Sequence, residues 1–236
     1  MKKIMLLGLF RTGTNYARTI LELNYDVSVE YDRLGWKHGL IPTYTKHSKI
    51  AYPNIPVLVI VKDPLATFFS WFQYINKNRK NIKSDATTFS EFLHSKIIFR
   101  DDFSKVSPEY YFSNPMQMWN SVVWNHISYS EQVNGHVFHY EQLLVNPKEV
   151  CEKIAEEFNF NTKSATFFIP QNITKNMSDA INRSPDDISS YCQNKTFEKK
   201  DFFLDKQYLS HFSEDDINFV YNELSAQLLD RLGYSK

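Results

Sequence analysis

One stretch near the start of the chain, KKIMLLGLFRTGTNYARTILEL, limits the fold more than any other. A short apolar run, Ile4 to Leu7, leads into a loop carrying Arg11, Thr12, Gly13 and Thr14. Tyr16, Ala17, Ile20, Leu21 and Leu23 then recur at helical spacing. The pattern predicts a buried strand, a tight turn and a helix, with the turn at the helix N-terminus. Unpaired backbone N–H groups and the positive end of the helix dipole meet there, so the turn suits an anion. Arg11 adds a fixed charge, and Thr12, Thr14 and Asn15 add side-chain donors. An ordinary strand-to-helix turn that happens to hold an arginine is the competing reading of this segment alone.

The loop departs from a nucleoside-triphosphate loop, which needs two glycines around four residues and then Lys-Ser/Thr to reach phosphate and hold Mg²⁺. Gly8 and Gly13 frame four residues, but Thr14 and Asn15 stand where that lysine and hydroxyl belong. The positive charge sits inside the loop, at Arg11. Such a loop can hold an anion without Mg²⁺.

A second strand-to-helix unit follows. Pro56 to Val61 (PVLVIV) is rich in β-branched residues, as a fully buried parallel strand is. It runs into Lys62-Asp63-Pro64, and Leu65 to Tyr74 reads as helix, with Pro64 in its first turn and Asp63 as the cap. Lys62 at the strand end and Ser70 on the helix can converge on a further anion. Ligands of open α/β sheets bind beyond the carboxyl ends of the strands, so two basic strand ends point to a ligand with two separated anionic groups.

With these segments in hand, the chain resembles the sulfotransferases that use 3′-phosphoadenosine 5′-phosphosulfate (PAPS). FRTGTN is similar to the family's 5′-phosphosulfate loop, a basic residue followed by Ser/Thr-Gly-Thr-Thr. VIVKDPLATFFSWFQY is similar to its 3′-phosphate segment, in which a serine follows the strand-end arginine by eight residues; Lys62 and Ser70 keep that spacing. FHYEQLLVNPKEVCEKIAEEFNF resembles the later Tyr-Glu-Asp-Leu strand and helix, and SEDDINFVYNELSAQLLDRLGY the C-terminal helix. The resemblance implies an α/β fold, a three-layer α/β/α sandwich with a central parallel sheet and a P-loop-like phosphosulfate-binding loop. It implies PAPS as co-substrate without a metal, bound by Arg11, Thr12, Gly13, Thr14, Asn15, Lys62 and Ser70. Tyr140 then contacts the adenine, or is a core tyrosine at a strand end.

Gly35 to Pro42 (GWKHGLIP) resembles the Lys-Thr-His-Leu-Pro segment of soluble members, whose histidine is the general base. On that resemblance His38 takes the acceptor's proton, while Lys37 and Arg11 stabilise the departing phosphate. The family's lysine lies two residues before the histidine, where this chain has Trp36. Glu30, near the end of a strand expected over Val27 to Glu30, is the rival base. The family's late Arg-Lys-Gly…Gly motif is missing; Lys195, Lys199 and Lys200 lie in that region without its glycines. Lys62 replaces the usual arginine, supplying charge without a bidentate fork.

Composition fits a single domain spanning 1–236. Formal net charge is zero, from 27 basic and 27 acidic residues, so no global field points to nucleic acid or an anionic membrane. The chain is 16% aromatic, which serves a packed core or an acceptor pocket equally. Cys151 and Cys192 make neither a metal-ligand spacing nor a disulfide framework, and Cys151 reads as a buried thiol on a helix. No stretch has the length of a signal-peptide core or a membrane span, so a cytoplasmic enzyme is expected and the Asn-X-Ser/Thr sites are incidental.

Between the motifs, Asn76 to Thr88 reads as a solvated loop or a lid, Met116 to about Gln132 as a helix, His136 to His139 and Phe167 to Ile169 as strands, and Asn172 to Asp201 as an irregular cover over the cofactor. Ser213 and Asp216 form a capping box for the last helix, which ends before Gly233. The acceptor is expected to be a small molecule or glycan, probed through a hydroxyl in preference to an amine. Two other classes compete: a P-loop kinase, which needs the missing Lys-Ser/Thr and an acidic Mg²⁺ site, and a non-catalytic nucleotide-binding protein on the same scaffold.

Overall fold

A computed structural model describes residues 1–31, 33, 36–41, 55–75, 82–100, 109–171 and 197–234. Among them, β1 (Lys2–Leu7), β2 (Val27–Glu30), β3 (Val57–Val61) and β7 (His136–His139) form a parallel sheet in the order β2-β1-β3-β7. Met5 lies beside both Glu30 and Val57, and Val61 beside His139.

Alternation along the strands divides the core into two halves. Met5, Leu7, Val57, Val59 and Val61 face α2 (Pro64–Ile75) and α4 (Pro115–Gln132), packing with Phe68, Trp71, Trp119 and Val122. Ile4, Leu6, Leu58, Ile60 and Phe138 face α1 (Thr14–Asn24), α5 (Tyr140–Val145) and α6 (Pro147–Phe158), packing with Tyr16, Ile20, Leu143 and Ile154. Helices on both faces of a parallel sheet make the three layers that the resemblance implies. Because β1 hands the chain to β2 on one side and has β3 on the other, a crevice opens where the loops after β1 and β3 diverge.

The local signals act as their chemistry dictates. Asp63 Oδ1 accepts the Ala66 N–H at 2.9 Å, capping α2. Asn114 caps α4 through the Gln117 N–H at 2.8 Å, so that helix begins at Pro115, where a missing N–H costs nothing. Ser213 and Asp216 close the capping box of α8 (Glu214–Glu223). Cys151 is a free thiol buried on α6, while Cys192 lies outside the described residues. Among the described residues, no helix is long and apolar enough to cross a membrane.

Three expectations need correction. Ile82–Lys83, within the stretch read as a loop, is strand β4 of a second, antiparallel sheet with β5 (Ile97–Arg100) and β6 (Glu109–Phe112); residues 76–81 lie outside the described set. Phe167 to Ile169 is not a strand: the Asn24 carboxamide accepts the Phe168 N–H at 2.7 Å and donates to its carbonyl at 2.9 Å, substituting for a strand neighbour. The single C-terminal helix is two, α8 and α9 (Ala226–Leu232), because Ser225 turns out of the helix and caps the second through the Leu228 N–H.

Candidate active site

The turn after β1 is built to present donors. Arg11 and Gly13 both have positive φ, 62° and 92°. A β-carbon on Gly13 would lie 2.3 Å from the Tyr140 ring, so both the backbone and the space demand glycine there. The carbonyls of Leu9, Phe10 and Arg11 are each occupied from the protein side, by Thr12 Oγ1 at 2.7 Å, Trp71 Nε1 at 2.7 Å and Lys62 Nζ at 3.3 Å. With Gly13 at the N-cap, α1 starts without a side-chain cap. Its first N–H groups, together with the dipole, are left for a ligand.

A cavity of about 300 Å³ opens at this turn, lined by Arg11, Gly13, Thr14 and Asn15 from the loop, by His38, by Ser70 from α2 and by Tyr140 from α5. Seven of the ten residues singled out from the sequence therefore share one wall. Thr12, Lys37 and Lys62 are not among the lining residues. Thr12 is spent on holding Leu9. Lys37 donates to Asn15 Oδ1 at 3.0 Å and stands 3.3 Å above the Tyr31 ring, fixing the loop's side chain.

Lys62 lies just behind the wall, 1% exposed. Its ammonium donates to Ser70 Oγ at 3.0 Å and packs 3.6 Å from the Phe203 ring centre. Burial, with Arg11 adding to it, lowers its pKa to about 7 against the opposing pull of Glu141 and Asp63. Ser70 donates in turn to the Ala66 carbonyl at 2.7 Å. Glu141, whose carboxyl is raised chiefly by burial, accepts the Asp63 N–H at 2.9 Å and the Tyr234 hydroxyl at 3.0 Å, tying the β3 end to β7 and to the end of α9.

His38 is nearly enclosed, its ring stacked on Phe10 at 4.6 Å and edge-on to Trp36 at 5.2 Å. Its Nδ1 lies 2.5 Å from the Gly8 carbonyl. A carbonyl only accepts, so Nδ1 carries the proton and Nε2 keeps a lone pair. Burial first, and the neighbouring Lys37 charge second, hold its pKa well below the ordinary histidine value. Glu30 is differently placed. It lies outside the cavity lining, and its two oxygens meet Lys3 at 2.7 Å and Arg33 at 2.9 Å, which lower its pKa and its strength as a base.

Most of the rest of the wall is aromatic and was not singled out as site residues from the sequence: Phe10 and Trp36 beside His38, Tyr74 beside Phe10, and Tyr16, Phe197 and Phe203 toward Tyr140, with Glu198 adding one carboxylate. Tyr16 and Phe197 stack at 4.4 Å. Two signals were available. Tyr74 follows Ser70 by one helical turn and shares its face, and Phe197, Phe202 and Phe203 are apolar residues in an otherwise charged run. Lys199 also lines the cavity; Lys195 and most of the expected cover, 172–196, lie outside the described residues.

The parallel α/β sandwich thus carries a donor-lined turn at its switch point with a buried histidine on the same cavity, an arrangement suited to an anionic ligand. A family model described as the sulfotransferase domain matches residues 37–215. The chain belongs to that family and is an enzyme of the PAPS-dependent sulfotransferase class, catalysing sulfuryl transfer. The match takes in His38, Lys62, Ser70 and Tyr140, and begins after the Arg11 loop. No curated protein matches the chain.

Proposed function

We propose that this chain moves the sulfuryl group of PAPS to a hydroxyl of a carbohydrate or small-metabolite acceptor, with His38 as general base and the Arg11–Asn15 turn holding the 5′-phosphosulfate. One observation carries the reading: a histidine with its proton pinned on Gly8 shares a single cavity with a donor-rich turn. PAPS supplies the activated sulfuryl group, whose bridging sulfur–oxygen bond breaks as the acceptor oxygen bonds to sulfur.

Negative charge grows on the departing phosphate, and Arg11 with the first N–H groups of α1 lies where that charge develops. The lone pair at His38 Nε2 takes the acceptor's proton. A depressed pKa keeps this nitrogen free at neutral pH, at some cost in basicity. Lys62 and Ser70 attract the 3′-phosphate, Lys62 from behind the serine. Lys199, on the same cavity, supplies charge in the region where the late glycine motif is missing. Tyr140, with Tyr16 and Phe197, offers flat surfaces suited to the adenine, and the rings beside His38 suit the acceptor. The described residues read as one domain, in which a small antiparallel sheet accompanies the central parallel one, and the buried free thiol of Cys151 favours a cytoplasmic setting.

The test uses ³⁵S-labelled PAPS with hydroxyl acceptors, wild type against His38→Gln. Transfer is expected to fall roughly 10²–10⁴-fold in the variant while PAP binding persists. Equal transfer by both proteins contradicts the assignment of the base.

A further inference from the structure

The segment that carries His38, Trp36 to Ile41, has no regular secondary structure of its own. Its backbone is anchored on one side by Gly8, whose N–H donates to the Lys37 carbonyl at 3.1 Å. Side chains from α4 make the opposite anchor. The Asn125 carboxamide accepts the Ile41 N–H at 2.7 Å and donates to the Ile41 carbonyl at 2.9 Å, closing both backbone groups of one residue as a neighbouring strand would. The next residue, His126, is 1% exposed, and its Nε2 lies 2.8 Å from the Gly39 carbonyl. That carbonyl can only accept, so Nε2 is the protonated nitrogen and His126 has no proton to take at that position. Residues 39 and 41 are both fixed to the helix, immediately after His38.

We infer that Asn125 and His126 are positioning residues, a two-residue bracket on α4 that fixes the orientation of His38 and with it the nitrogen offered to the cavity. The geometry separates them from the donor-binding parts: neither residue lines the cavity, and their hydrogen bonds go to Ile41 and Gly39. Loss of the bracket releases Gly39 and Ile41 and leaves His38 held only by Gly8 and by its ring contacts with Phe10 and Trp36. An error of about 1 Å in such a group can cost on the order of 10²-fold in rate. Neutral His126 also suits its place, because burial lowers its pKa to about 4 and spares His38 a further cation besides Lys37 and Arg11.

This inference rests on the assignment of His38 as the base, and the experiment separates the two. Full-length protein labelled with ¹⁵N-histidine is examined by ring-nitrogen NMR at pH 7, with His38→Gln identifying the His38 signals, and PAP affinity is measured by calorimetry on each protein. The wild type is expected to show His38 as the Nδ1–H tautomer. His126→Leu should move its two ring shifts toward the average of both tautomers, with PAP affinity changed less than about threefold. His126→Gln, whose amide N–H replaces Nε2–H, should restore the wild-type pattern. Asn125→Asp places a carboxylate against the Ile41 carbonyl and should reproduce the His126→Leu pattern; it decides the matter where His126→Leu does not fold. Unchanged His38 shifts in His126→Leu, or in Asn125→Asp in its place, overturn the bracket, as does failure of His126→Gln to restore them. A wild type that does not bind PAP would overturn the functional reading itself, whatever the histidine shifts show.

Discussion

At Gly13 the backbone angle and the available space make the same demand. A β-carbon there meets the buried Tyr140 ring at 2.3 Å and forces φ of +92° on a residue that avoids it. Gly13→Ala is expected to lower stability by about 1–3 kcal/mol in denaturant titration. It should also weaken PAP binding at least tenfold, because the turn must shift to admit the methyl group. Lys62 makes a subtler prediction. Its pKa of about 7 leaves it largely neutral at pH 8 in the free protein, whereas its ordinary value is 10.5. A 3′-phosphate beside it favours the ammonium, so binding should take up a proton between about pH 7 and 10.5. Calorimetry of PAP binding at pH 8 in two buffers of different ionisation enthalpy reads that proton directly. Lys62→Met should abolish the uptake; equal uptake by the variant would assign it to another group.

At the scale of elements, α4 does more than cover the sheet. Its His126 folds neutral, with a pKa near 4 where an unfolded histidine has 6.5, and His38 is displaced in the same direction. The unfolded chain thus binds protons that the folded one refuses. Stability is complete above pH 6.5 and is lost as the pH falls toward 4, by roughly 3 kcal/mol for His126 alone. Urea titrations across that range should show the decline, and His126→Gln should remove the His126 share of it. A slope unchanged in the variant would show that other groups drive the acid response.

The elements also show what a sequence can and cannot declare. β1, β3, α2 and α4 were legible because their signals are local: short apolar runs for the strands, β-branched in β3, a proline in the first turn and an aspartate cap for α2, and apolar residues at helical spacing for α4. The second sheet was not, since Ile82–Lys83 is a two-residue strand whose pairing with Phe99 and Ile98 is set by tertiary contact. Phe167 to Ile169 failed for a related reason: its β-like composition is satisfied by the side chain of Asn24, which no window around residue 168 contains. Within the site, the charged residues stood out by motif and spacing. The aromatic wall did not, because a phenylalanine lining a cavity reads the same as one in the core.

Over the whole molecule, two anion-attracting strand ends lie side by side only because β1 and β3 are neighbours while the chain between them crosses to β2. That topology turns Arg11 and Lys62, 51 residues apart, into one site in which Lys62 touches the Arg11 carbonyl. Such a site should prefer a nucleotide carrying both a 5′- and a 3′-phosphate over one carrying the 5′-phosphate alone. Calorimetric titration of the metal-free protein with PAP, and then with AMP and Mg²⁺–ATP, measures that preference. The expected result is PAP binding at least about 100-fold tighter than AMP, a difference of roughly 3 kcal/mol, weakened by Arg11→Ala and by Lys62→Ala. Binding of Mg²⁺–ATP with no binding of PAP would contradict the two-anion site and the sulfuryl donor proposed for it.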